Sequence, residues 1–192
     1  MNNNSNVSKS TQNLVMYAIL TALVIILQVL GSFIHFGPFS VTLVLVPVVI
    51  GAALCGPKAG AWLGFIFSIV VLLSGDAAAF LTVNVPGTII TVIAKGTLAG
   101  LVTGFVYKSA RKLNIYAAAA VSALVCPVVN TGVFLLGCLL FFMEIITTWA
   151  GGSDLVASYI IFGLVGANFL FEVAVNVILC PAIIRLLKIR KA

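Results

Sequence analysis

Long apolar runs separated by short polar segments dominate this chain. Six runs can be recognised, and they cover residues 14–34, 41–55, 59–74, 86–107, 115–143 and 156–187. Runs of about 20 apolar residues can cross a bilayer as α-helices, in which every backbone polar group is paired internally. The 41–55 run is short and contains Pro47, so we expect a kinked or incomplete span there. The pattern predicts an all-α membrane protein with six transmembrane helices.

The composition supports one compact membrane domain. Of the 192 residues, 62% are hydrophobic and only 7% are charged, whereas about 25% are charged in an average soluble domain. Residues 1–13 are polar, and we expect them to form an N-terminal tail before a single transmembrane domain that covers residues 14–192. So little chain lies outside the runs that we expect no separate soluble catalytic or nucleotide-binding domain.

The charged residues predict the orientation of the six spans. With six spans, nine of the ten basic residues fall on the side of the termini, namely Lys9, Lys58, Lys108, Arg111, Lys112, Arg185, Lys188, Arg190 and Lys191. Asp76, Glu144 and Asp154 fall on the opposite side. By the positive-inside rule, both termini are predicted to be cytoplasmic. The net charge of +6 is therefore interpreted as a topology signal, and we expect no nucleic-acid partner.

Two ionisable residues, Lys95 and Glu172, lie inside the predicted spans. A charged group near the middle of a span costs about 2.5–3.5 kcal/mol on insertion scales, so such residues usually serve a function or pair with each other. Lys95 lies about 12 Å from the outer end of its span, at 1.5 Å per residue. Two interpretations are open: Lys95 binds an anionic or carbonyl-bearing ligand that enters from outside, or it forms a structural ion pair with Glu172.

A polar stripe extends along the last apolar run. Asn168, Glu172 and Asn176 are spaced four residues apart, so a helix places them on one face. We expect Asn168, nearest the outside, to contact a ligand and Asn176, the deepest, to hydrogen-bond between helices. Glu172 is either the floor of the pocket or the partner of Lys95.

Further amides are candidates for the same pocket. Asn130 and Thr131 follow Pro127 in the fifth run, so they either satisfy a proline kink or line a pocket shared with the fourth and sixth runs. Asn84 lies in the segment 75–86, which we expect to be a loop that covers a pocket.

Enzyme and metal signatures are missing from the sequence. It contains no H-E-x-x-H, G-x-S-x-G or P-loop pattern. The four cysteines lie within or at the ends of apolar runs without C-x-x-C spacing, as small buried residues do. We therefore expect a solute-binding protein with no catalytic residue, no metal site and no cofactor.

Three features resemble the substrate-binding S components of energy-coupling factor (ECF) vitamin transporters. The first is the small-residue pair Ala18 and Ala22, similar to the alanine motif with which these S components dock on their coupling protein. The second is the block VPVVIGAALCGPKAGAWLGFIFSIVVLL, residues 46–73, similar to a pattern in the riboflavin and pantothenate members. The third is the arrangement of six spans in about 190 residues.

The resemblance implies a membrane vitamin receptor that works with a transmembrane coupling subunit and two ABC ATPases in the cell membrane. It also implies a vitamin pocket near the outer face, built from the fourth, fifth and sixth spans. Lys95, Asn130 and Asn168 fall where pocket residues are expected, and Asn84 falls in the covering loop. Glu172 matches no family position, so its role depends on the physical argument alone.

The vitamin itself is predicted from Lys95. A lone intramembrane lysine suits the carboxylate of pantothenate, which we favour, and riboflavin is the next choice. The alternative function is a self-sufficient secondary transporter of a small polar solute that uses Lys95 and Glu172. The sequence shows no inverted repeat to support that alternative.

Overall fold

A computed structural model describes residues 3–33, 35–36, 39–40 and 43–189 of the chain. Its α-helices are α1 (Asn3–Gly31), α2 (Leu45–Cys55), α3 (Pro57–Ser74), α4 (Ala78–Leu81), α5 (Val85–Ala110), α6 (Ile115–Gly137), α7 (Met143–Ala150), α8 (Val156–Ser158) and α9 (Ala167–Ile189). Some residues of the predicted spans and of the charge pattern lie outside the described residues, namely Ile34, Val41, Arg190 and Lys191.

The predicted all-α membrane fold is confirmed. Five helical segments are long and apolar enough to cross a membrane, namely Thr11–Gly31, Pro57–Ser74, Val85–Ala110, Ile115–Ala150 and Ser153–Arg185. The remaining apolar helix, α2, has 11 residues, so it is about 16 Å long and too short for a hydrocarbon core of about 30 Å. Pro47 lies in its first turn, where a missing N–H breaks no helical hydrogen bond. The count of six spans stays a prediction.

The boundaries differ from the predicted ones at two places. Helix α1 begins at Asn3, so the described part of the segment predicted as a tail continues the first helix. After α1, the strands β1 (His35–Phe36) and β2 (Phe39–Ser40) form a short antiparallel pair. Two-residue strands leave the helical class of the fold unchanged.

Glycines allow α3 and α5 to approach at backbone distance. A Cβ atom at Gly60 would collide with the carbonyl oxygen of Gly100, and one at Gly64 would collide with that of Gly96. The glycines are four residues apart on each helix, which is the small-residue spacing of closely packed membrane helices. The order of these contacts shows that α3 and α5 are antiparallel.

The antiparallel arrangement separates the charges along the bundle. Asp76 follows the end of α3, close to the start of α5. At the other end, a Cβ atom at Gly104 would collide with Pro57, so the segment 108–112, with its three basic residues, lies beside the start of α3. The bundle thus has an acidic end and a basic end. The cytoplasmic location of the basic end stays a prediction.

The outer surface of the bundle is apolar. Leu140, Phe162 and Ile178 are 74%, 79% and 73% exposed, and side chains of this size are exposed in such numbers where lipid, rather than water, surrounds the helices. Together with the five long apolar segments, this surface is that of a multi-pass membrane protein.

Buried side chains form two clusters. The larger one joins α1, α2, α3, α5, α6 and α9 and includes Val24, Leu63 and Ile183. The smaller one lies toward the acidic end and consists of Phe80, Cys138, Phe142, Ile146, Val156 and Leu164. The second cluster supports the cavity described below.

Candidate ligand-binding site

A cavity opens at the acidic end of the bundle. It measures about 530 Å³, including the space at its open mouth. Its lining consists of Gln28, Phe67, Val71, Asp76, Ala77, Phe80, Thr88, Thr91, Val92, Lys95, Phe134, Phe142 and Asn168. Seven of these side chains are apolar or aromatic and six are polar or charged, so the cavity offers both apolar surface and hydrogen-bonding groups.

A second cavity of about 310 Å³ adjoins the first. Lys95, Phe134 and Asn168 line both of them, and Asn130, Thr131, Leu164 and Val165 complete the second. Because three side chains are shared, we treat the two spaces as one site, called the site cavity below.

Lys95 projects from α5 at the junction of the two spaces. Its Nζ atom lies 5.8 Å from the centroid of the Phe67 ring and 5.4 Å from that of Phe134. Both distances are within the range of cation–π attraction, which is worth about 0.5–2 kcal/mol per ring. The negative charges of Glu172 and Asp76 also act on this ammonium group. Ring faces and these charges therefore stabilise a cation at the wall of the site.

The close packing of α3 on α5 positions Lys95. Gly96 has no side chain, and a Cβ atom there would lie 3.1 Å from the Phe67 ring. The Ser68 hydroxyl donates a hydrogen bond to the backbone oxygen of Val92 at 2.7 Å. This bond and the glycine contact fix the ring of Phe67 beside Lys95.

The stripe on α9 forms a hydrogen-bonded ladder. The Asn168 side-chain amide donates to Glu172 Oε1 at 3.1 Å, and the Asn176 amide donates to the Glu172 backbone oxygen at 2.8 Å. Asn168 lines the site cavity, whereas Glu172 and Asn176 are each 1% exposed and lie outside its lining. The buried residues Glu172 and Asn176 therefore support the side chain of Asn168, which lies at the cavity wall.

Asn130 presents a buried acceptor to the site. Its side chain is 4% exposed and lines the cavity. Its Oδ1 atom has no hydrogen-bond partner among the described residues. A buried carbonyl oxygen without a partner costs about 1–3 kcal/mol, so a bound molecule that donates a hydrogen bond here would recover this energy. Thr131, next in the chain, lines the same space.

Irregular helical turns lie on two sides of the site. π-helical turns cover Cys138–Phe142 and Tyr159–Gly166, and each contributes lining side chains, Phe142 from the first and Leu164 from the second. π-helical turns are rare in proteins overall, and those that occur are often found at functional sites.

The structure does not bring Asn84 to the site cavity. Its Oδ1 atom accepts a hydrogen bond from the backbone N–H of Gly87 at 2.9 Å, which makes Asn84 the N-cap of α5. Ala18 and Ala22 lie elsewhere, exposed on α1. Lys95, Asn130 and Asn168 are thus the predicted residues that the structure brings together.

Sequence reasoning missed a polar group at the mouth. The Gln28 side-chain amide donates to Asp76 Oδ2 at 2.5 Å, and the Ser74 hydroxyl donates to the same oxygen at 2.9 Å. Both Gln28 and Asp76 line the cavity. The signal was available: Gln28 is an amide in an otherwise strongly apolar part of the first run.

Sequence reasoning also missed the aromatic wall. The Phe80 ring lies 5.7 Å from that of Phe134, 4.9 Å from Phe142 and 5.5 Å from Trp149, all edge-on. Trp149 therefore packs on the ring that lines the cavity. Phe80 lies on α4, within the segment 75–86 predicted as a loop, and Trp149 lies on α7, between the fifth and sixth predicted runs.

Comparison with known proteins decides the family. A family model for the substrate-specific component of ECF transporters matches residues 12–184. The chain belongs to this family. Among curated proteins, none matches the sequence significantly. The ECF S component described here is thus a transport-related, substrate-binding subunit.

Proposed function

We propose that this S component binds a water-soluble B-type vitamin in the site cavity, with pantothenate favoured and riboflavin next. The observation that supports this proposal is the position of Lys95, whose ammonium lies at the junction of two adjoining spaces beside the rings of Phe67 and Phe134. A desolvated ammonium attracts a carboxylate more strongly than it does in water, because the surrounding dielectric is low.

The remaining lining suits the rest of a pantothenate molecule. The rings of Phe67, Phe80 and Phe134 would pack on its apolar carbon skeleton. The Asn130 Oδ1 atom, without a partner in the described part of the chain, and the Asp76 carboxylate would accept hydrogen bonds from its hydroxyl and amide groups. Riboflavin would place its flat ring system against the same aromatic rings and its hydroxyl chain on the amides.

The exposed pair Ala18 and Ala22 supports a docking role for α1. Both are small and exposed, so another membrane helix can approach the α1 backbone closely at these two positions. We infer that this face docks on a transmembrane coupling subunit, which carries two ATP-binding ATPases, in the cell membrane. Asn168 and Lys95 then select the solute, and the coupling module supplies the energy.

Mass spectrometry of small molecules that co-purify with the protein tests the vitamin. We expect pantothenate in the extract, and in titrations of the emptied protein we expect pantothenate to bind more tightly than its neutral alcohol analogue, panthenol. Riboflavin in the extract would identify riboflavin, rather than pantothenate, as the ligand. Equal affinity for pantothenate and panthenol would contradict the role of Lys95.

Transport measurements distinguish the alternative function. Proteoliposomes with the S component alone should take up no solute, whereas those that also contain the coupling subunit, its ATPases and ATP should. Uptake by the S component alone, driven by a proton gradient, would instead establish a secondary transporter that uses Lys95 and Glu172.

A further inference from the structure

A second large cavity lies at the basic end of the bundle, far from the site cavity. It measures about 860 Å³, including its open side. The turn between α2 and α3 forms one wall, and the last turns of α5 with the segment that follows form the other. Gly104 and Pro57, which approach at backbone distance, both line the cavity.

The two walls of this cavity differ in chemistry. Leu54, Cys55 and Pro57 make one wall apolar, whereas Lys108, Arg111 and Lys112 make the other cationic. All three cations are exposed, so their charges are available to a bound group. In the described part of the chain, no acidic side chain lines this cavity.

The positive charge of this cavity comes from its side chains. The wall contains the start of α3 but also the last turns of α2 and α5, and the partial charges of helix N-termini and C-termini are opposite in sign. Three side-chain cations converge on one concave surface, which is an arrangement that binds phosphate groups.

We propose that this cavity, called the basic cavity, binds the phosphate headgroup of an anionic phospholipid. The bundle positions it where the membrane-spanning parts of α3 and α5 end, which is the depth of lipid phosphates. The cationic wall contacts the phosphate, with the Arg111 guanidinium suited to two parallel hydrogen bonds, and the acyl chains lie along the apolar wall. A soluble phosphate or an acidic peptide would leave that apolar wall uncovered.

The proposal is independent of the solute bound at the other end. It assigns the cluster at 108–112 a specific ligand, in addition to the general role of basic residues in membrane orientation. Juxtamembrane cations gain roughly fivefold in affinity for anionic lipid for each charge, so a variant that lacks one lining charge should show a measurable loss.

The test is native mass spectrometry of the purified protein, titrated in detergent with dioleoyl-phosphatidylglycerol or with dioleoyl-phosphatidylcholine. We expect phosphatidylglycerol adducts to persist at activation energies that remove phosphatidylcholine. Arg111→Gln should weaken phosphatidylglycerol binding about fivefold, and Lys108→Gln with Arg111→Gln should weaken it roughly 25-fold. Arg185→Gln is the matched control, because Arg185 is exposed and does not line the basic cavity.

Each other outcome would overturn the proposal. Equal losses in Arg111→Gln and Arg185→Gln would show a diffuse effect of charge, and equal retention of the two lipids would exclude recognition of the anionic headgroup. Displacement of the lipid by millimolar inorganic phosphate would assign the cavity to a soluble anion. Should the double variant unfold, as judged by its thermal transition, the single variants decide the result, since each retains most of the native charge.

Discussion

The Lys95 ammonium lies 5.4 Å from the centroid of the Phe134 ring, on the wall that the two halves of the site cavity share. Lys95 belongs to α5 and Phe134 to α6, so this contact joins two membrane helices at the junction of the two spaces. Cation–π attraction is weaker than the bond of an ammonium to a desolvated carboxylate. An anionic ligand can therefore draw Lys95 toward itself without first breaking a strong contact.

The two asparagines of the α9 stripe should separate binding from folding. We expect Asn168→Ala to lower vitamin affinity by about 1–3 kcal/mol because it removes a lining amide, with a small change in the thermal transition. Asn176→Ala should lower the transition temperature with little effect on affinity, because Asn176 is buried below the cavity. Titration calorimetry and thermal unfolding measure both quantities. If Asn176→Ala weakened binding and Asn168→Ala lowered the transition temperature instead, the assignment of Asn168 to binding and Asn176 to stability would be wrong.

The helix contact behind Lys95 should be sensitive to one methyl group. Gly64→Ala would force a Cβ atom into the Gly96 carbonyl oxygen, and overpacking of this kind costs about 1–3 kcal/mol. Gly132→Ala is the matched control, since a Cβ atom there meets nothing within 4 Å. We expect a lower thermal transition and weaker binding for the first variant alone. Equal stability of the two variants would contradict the close approach of α3 and α5.

The exposed alanines should affect transport but not binding. We expect Ala18→Trp combined with Ala22→Trp to retain vitamin affinity and to lose uptake in the assembled transporter, because bulky side chains block helix docking. Leu170→Trp with Ile178→Trp, at exposed positions of α9, serves as the control and should retain uptake. Loss of binding in the isolated alanine double variant would contradict the docking assignment.

Trp149 should report ligand binding. Its ring packs 5.5 Å from Phe80, which lines the cavity, whereas Trp62 lies on α3 with 49% exposure and donates to Thr21 on α1 at 3.4 Å. We expect the vitamin to change the fluorescence of the Trp62→Phe protein, in which Trp149 is the remaining tryptophan. The Trp149→Phe protein should show no such change. A response carried by Trp62 would place the ligand elsewhere.

The helical class and the central site residues could be predicted from sequence because bilayers impose strong rules. A charged or amide side chain inside an apolar run is costly, so Lys95, Asn130 and Asn168 were recognisable without coordinates. The same rule cannot predict the role of a polar side chain at the end of a span, because water is near and exposure of the polar group costs little. Asn84 is such a residue, and the structure uses it to cap α5.

The mouth and aromatic wall could not be predicted in the same way. Phe80 belongs to α4, which follows a turn at Gly75, and Trp149 belongs to α7, which ends at a turn at Gly151. Both helices are short, and their apolar content is also typical of loops at the membrane surface. The hydrogen bond between Gln28 and Asp76 joins residues 48 positions apart. Only the packing of α1 beside α3 brings these two groups together, and no local sequence pattern predicts a contact between residues so far apart in the chain.

The most direct test of the account is the affinity of pantothenate for the wild-type protein and for Lys95→Met, measured by titration calorimetry in detergent. Methionine retains most of the length and apolar contact of lysine without its charge, and Lys108→Met, at an exposed position, controls for the loss of one positive charge. We expect Lys95→Met to weaken binding by about 1–3 kcal/mol, with Lys108→Met unchanged. Unchanged affinity in a folded Lys95→Met protein would contradict the assignment of Lys95 as the group that recognises the ligand.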